Sequence, residues 1–96
     1  MVYLQASIKL YPGKLQDFTE LINTLLPTLG KHGWKLLGSY ATMAGRLNTV
    51  VDWWELPAPD ALQAALSDPE FGKYADRINS IVEDEVLSIL TKLPIG

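Results

Sequence analysis

Asn48-Thr49-Val50-Val51-Asp52-Trp53-Trp54-Glu55-Leu56, closed by Pro57, is the stretch that decides the fold. It reads as a strand, and successive side chains of a strand point to opposite faces, so Trp53 and Trp54 must part company. One fills the core between sheet and helices and the other lies on the opposite surface. A sheet with helices on one side covers only one face. A chain of 96 residues leaves no second helical layer for the other. The implied cover is a second copy of the chain, a homodimer.

Upstream of this strand, Val2, Leu4, Ala6, Ile8 and Leu10 alternate with Tyr3, Gln5, Ser7, Lys9 and Tyr11, the period of a strand with one apolar face. Pro12-Gly13 ends it. Leu15, Phe18, Ile22, Leu25 and Leu29 then fall at three- and four-residue spacing, predicting an amphipathic helix over residues 14–32 that Pro27 should kink. Gly33, preceded by Lys31 and His32, has the position of a glycine closing a helix. Residues 34–43 form a second strand, and Ala44-Gly45-Arg46-Leu47 is short enough to make a hairpin into the third.

Beyond the third strand, Asp60 is read as the cap of a short helix to Leu66. Asp68-Pro69 starts another, with Phe71, Tyr74, Ala75, Ile78 and Val82 on its inner face. Glu83-Asp84-Glu85 is expected as an acidic link, and residues 86–93 as the fourth strand. Two strand-helix-strand crossovers make this an α+β, ferredoxin-like βαββαβ sandwich: a four-stranded antiparallel sheet, helices on one face, first and third strands central. A single domain over residues 1–96 is expected.

Composition narrows the function classes. Eleven acidic against eight basic residues give a net charge of −3, with no basic run, so nucleic acid is not an expected partner. There is no cysteine for thiolate chemistry and only one histidine, so no metal site or other cofactor is expected. No apolar run approaches a membrane span and the first ten residues lack a secretory pattern, which makes a cytoplasmic protein the default.

Pro12-Gly13-Lys14-Leu15 after the first strand, Gly38 in the second, Leu47-Asn48-Thr49-Val50-Val51 with Trp54, and Asp68-Pro69-Glu70-Phe71 together resemble the NIPSNAP family of dimeric α+β barrel proteins. The resemblance covers almost the whole chain and implies a homodimeric barrel. The first strand departs from the family pattern, which tends to place glutamate and arginine where this chain has Leu4 and Ala6. There it looks more like an antibiotic-biosynthesis monooxygenase, a related group in which some members oxidise aromatic polyketides without metal or flavin. Asp52 stands where NIPSNAP relatives often carry histidine. In the heme-degrading branch the ligand histidine lies in the second helical segment, whereas His32 ends the first, so heme is not implied.

Asp52 is the leading candidate residue, because a carboxylate amid apolar neighbours is costly unless something pairs with it. One reading gives it a cross-strand ion pair with Arg46, Lys9 or Lys35, or a hydrogen bond; the other makes it a catalytic acid or base facing a ligand. Tyr3, Tyr40, Asn48 and Trp54 are the candidate ligand-binding residues, with Tyr3, Tyr40, Asp52 and Trp54 expected to share one face and line a cavity. His32 is expected to cap or pair with the helix end. Two functions follow: an accessory barrel that binds a small apolar or aromatic molecule without turnover, or a cofactor-independent monooxygenase or cyclase-like enzyme acting on an aromatic or polyketide-like substrate.

Overall fold

The computed structural model describes residues 1–96. The chain runs β1 (Val2–Leu10), α1 (Leu15–Lys31), β2 (Lys35–Ala41), β3 (Thr49–Leu56), α2 (Asp60–Leu66), α3 (Pro69–Gly72), α4 (Ala75–Ile81) and β4 (Val82–Leu90). The strands form one antiparallel sheet in the order β2-β3-β1-β4. This is the expected ferredoxin-like α+β arrangement, with β1 and β3 central.

Alternation in β1 and β3 builds the core. Leu4, Ala6, Ile8 and Leu10 of β1 lie beside Val50, Trp54 and Leu56 of β3, all buried against the helices. Phe18, Leu21, Leu25 and Leu29 of α1, Ala61 and Ala65 of α2 and Ile81 of α4 close over them. Each large apolar side chain buried in this way contributes about 1.5–3 kcal/mol. Leu21 belongs to the buried stripe of α1, whereas Leu15 is exposed because it sits at the first helical position, beyond the sheet. The helix runs through Pro27, whose ring lies at the exposed surface, so the amide it lacks is missing from the solvent side.

The end of α1 is fixed by its backbone. His32 is the C-cap, Gly33 follows in the left-handed region at φ 80°, and the amides of Gly33 and Trp34 reach back to the carbonyls of Gly30 (3.0 Å) and Leu29 (3.2 Å). This pair of bonds is a Schellman motif. A β-carbon on Gly33 would also stand 2.9 Å from the Pro57 ring, so glycine is required there twice over.

Three expected boundaries move. β2 ends at Ala41, and the hairpin loop spans 42–48, closing at Asn48 with φ 61° and a Leu10 amide donating to its carbonyl at 2.7 Å. The helix expected from Asp68-Pro69 is broken into α3 and α4 around Lys73 and Tyr74, which turns Ala75 outward and brings Ile81 in. Glu83-Asp84-Glu85 is strand rather than link: β4 begins directly after α4 and ends at Leu90. Its acids are tolerated because β4 is an edge strand, with Lys9 of the neighbouring strand 3.1 Å from Glu83.

Asp68 ties the two crossovers together. It caps α3 by accepting from the Glu70 amide at 2.8 Å, and His32 Nε2 lies 2.7 Å from its Oδ2, with Lys31 Nζ at 3.7 Å. The hydrogen bond to His32, then that from the Glu70 amide, hold its carboxyl below the ordinary 3.8. Stability from such an acid is fully present above pH 3.8 and is lost as pH falls through the lowered folded value. Asp68→Ala should therefore lower the melting temperature at neutral pH, with the gap to wild type narrowing in thermal scans below pH 3.8.

Candidate functional site

Between the sheet and the helices lies a cavity of about 130 Å³. Its floor is Leu4, Ala6 and Ile8 of β1, its walls are Phe18 and Leu25 of α1 with Trp34 and Trp54 at one end, and Phe71 and Ile78 roof it. Ala6 makes the room, since a larger side chain at the middle of the central strand would fill it. Trp34 donates its indole N–H to the Ala61 carbonyl at 2.9 Å and meets Trp54 edge to face, with centroids 5.4 Å apart and planes at 70°. That contact fixes both rings and fastens α2 to the start of β2.

Asp52 is the polar group set into this wall, only 1% exposed. Its register partners are Ala6 on β1 and Ser39 on β2, and the Ser39 hydroxyl donates to its Oδ1. No cation pairs with it. Lys9 bonds Glu83, Lys35 projects to solvent, and Arg46 lies in the exposed hairpin loop, so of the two forms of support expected for Asp52 the structure supplies the hydrogen bond. Burial pushes its carboxyl above 3.8, and the Ser39 bond offsets only part of the rise. Glu85, exposed at the rim of the cavity, is also raised, by burial first and then by neighbouring Asp84.

The five candidate residues do not converge. Asp52 and Trp54 face the helices and line the cavity. Tyr3 and Tyr40 are on the opposite, open face, Tyr40 packed on Trp53 with centroids 5.4 Å apart and Tyr3 in a shallow groove with Leu37 and Leu90. Asn48 is in the hairpin loop, where its left-handed backbone turns the chain. The expected shared face fails for two reasons. Tyr3 pairs with Glu55 while its neighbour Leu4 pairs with Trp54, so the alternation of β1 alone puts it on the face away from Asp52. For Tyr40 the reason is a β-bulge: Leu36 pairs with Trp54 but Gly38 pairs with Trp53, so Leu37 is an inserted residue. One extra residue reverses every later side chain in β2. Tyr40 is thereby turned outward and Ser39 inward onto Asp52. Sequence reasoning missed Ser39, Ala6, Trp34 and Glu85; for Ala6 the signal was present, a small side chain in an otherwise large apolar row.

The family model for NIPSNAP matches residues 3–96. The chain belongs to the NIPSNAP family. Among solved structures, an uncharacterized NIPSNAP domain protein from Burkholderia xenovorans superposes with a TM-score of 0.82 at 21% identity, over 100% of this chain and 98% of that one. A NIPSNAP family protein of unknown function from Agrobacterium tumefaciens gives 0.83 at 17% identity, over 100% and 91%. A structure described as an antibiotic biosynthesis monooxygenase gives 0.71 at 17% identity, over 98% and 100%. At these identities the likeness is one of fold. Comparison with curated proteins finds no match.

In this NIPSNAP chain the raised Asp52 has the opposite stability signature to Asp68. Between 3.8 and its raised folded value the native state binds more protons than the unfolded one, so stability falls as pH rises through that window. Asp52→Asn keeps an oxygen for the Ser39 hydroxyl and removes the charge. Urea unfolding over a pH series should show a shallower decline for the variant, and a stability at neutral pH equal to or above wild type. A variant clearly weaker at neutral pH would mean that the carboxylate has support beyond Ser39.

Proposed function

We propose that this NIPSNAP protein binds a small apolar or aromatic molecule in the cavity between sheet and helices. The observation that carries this reading is the cavity itself: about 130 Å³, walled almost wholly by apolar side chains, with one buried carboxylate facing in. Dry apolar cavities of about 150 Å³ accept benzene, so a single ring is the matching size. Calorimetric titration with toluene should give saturable binding by the wild type. Ala6→Phe, which fills the floor with an apolar group, should weaken it at least tenfold; equal binding by both proteins would place the ligand elsewhere.

The same reading includes a homodimer through the open face. Tyr40, Trp53, Leu37, Val86 and Leu90 are all exposed there, and the Trp53 indole donates to Gln5 Oε1 at 3.0 Å, which ties its ring to the neighbouring strand. Exposed apolar side chains gathered on one face in this way are characteristic of an association surface. Tyr3 and Tyr40 then serve the interface rather than the ligand. Sedimentation at micromolar concentration should show a dimer that Trp53→Glu converts to monomer, and a wild-type monomer would overturn this part. No helix is long and apolar enough to cross a membrane, and the chain has no cysteine, which favours a cytoplasmic setting.

The burial of Asp52 favours a second reading, a cofactor-independent monooxygenase or cyclase-like enzyme. A carboxylate raised by desolvation, facing an apolar enclosure, is suited to accept a phenolic or enolic proton. Oxygen-dependent turnover of an aromatic substrate that vanishes in folded Asp52→Asn would place this reading first.

A further inference from the structure

The charges around the cavity are one-sided. Asp52 and Glu85 are the only ionisable groups lining it, and neither has a cation within ion-pairing distance. Ser39 occupies one oxygen of Asp52, and no protein donor meets the other. That second oxygen is still within reach of solvent, and a hydrocarbon ligand would cover it without supplying a donor, at real cost. An anion would add a third negative charge to a site with no countercharge. No three histidine or carboxylate groups converge to hold a metal ion.

The walls point to the same sign of charge. Trp34, Trp54, Phe18 and Phe71 all line the cavity. Aromatic faces carry negative potential and attract cations, most strongly where water is excluded, and tryptophan does so best. On the register of the sheet, Asp52 and Glu85 flank Ala6 and Ile8 from the two neighbouring strands. A ligand lying over Ala6 is therefore bracketed by carboxylates, with aromatic rings around it.

We infer that the ligand of this cavity is a small organic ammonium, an amine carrying a single ring or its equivalent in apolar volume, with the ammonium donating to the free oxygen of Asp52. This rests on the reading of the cavity as a binding site and names its ligand class. The ammonium supplies both the missing donor and the missing countercharge. Asp52 holds the charged head, and Glu85 at the rim draws cations in and repels acids.

Calorimetric titration of the full chain at neutral pH with benzylamine, benzyl alcohol, toluene and benzoate separates the possibilities, since the four share a ring and differ in charge and donors. Benzylamine should bind tightest, at least tenfold above toluene, and benzoate should give no detectable binding. Asp52→Asn should cost benzylamine tenfold or more while leaving toluene unchanged. Glu85→Gln, on an exposed edge strand where folding is not at risk, should weaken benzylamine several-fold and leave toluene alone. Toluene or benzoate binding as well as benzylamine, or benzylamine insensitive to Glu85→Gln, would overturn the ammonium assignment while leaving the cavity reading intact. Binding of none of the four would overturn both.

Discussion

The pairing of β1 with β3 is the contact on which the rest depends. It sets Leu4 beside Trp54, Ala6 beside Asp52 and Ile8 beside Val50 along one face of the sheet, and the helices take their positions from that row. Because side chains alternate strictly, a slip of one residue would expose Trp54 and bury Trp53 with Glu55. The cavity exists within this register because Ala6, the smallest side chain of the row, stands where the helices arch over the middle of the sheet. The same register puts a carboxylate beside that gap, and the cost of burying it is offset by a serine from the next strand.

Much of this was legible in the sequence. Alternation in residues 2–10 and the opposed tryptophans gave the sheet its two faces, Gly33 marked the end of α1, and Asp68-Pro69 marked the start of α3. What escaped was non-local. The bulge at Leu37 has no local signature, since Lys35-Leu36-Leu37-Gly38-Ser39 can be read in either register, and it alone decides that Ser39 rather than Gly38 stands opposite Asp52. The start of β4 escaped for a different reason. Three consecutive acids read as a turn until Lys9 is known to lie alongside, and that neighbour is brought by a strand far away in the chain.

The buried carboxylate and the exposed aromatic face represent opposite ways of leaving an interaction incomplete. Inside, Asp52 carries one oxygen bonded by Ser39 and another that no protein donor meets, at the wall of an apolar cavity. Outside, Trp53 and its neighbours expose apolar surface to water, where it costs little per residue and more as a patch. A buried carboxylate and an exposed aromatic surface are thus separated by the thickness of one sheet, on successive residues of the same strand.

The bond between His32 and Asp68 spans 36 positions of sequence and that between Trp34 and Ala61 spans 27, each joining the first strand-helix-strand half to the second. Neither bond exists in either half alone. A chain severed in the hairpin loop 42–48 would yield one fragment holding His32 and Trp34 and another holding Asp68 and Ala61, each with polar groups matched only by the other. The two halves are complementary pieces, equipped to recognise one another by the corner where both crossovers meet.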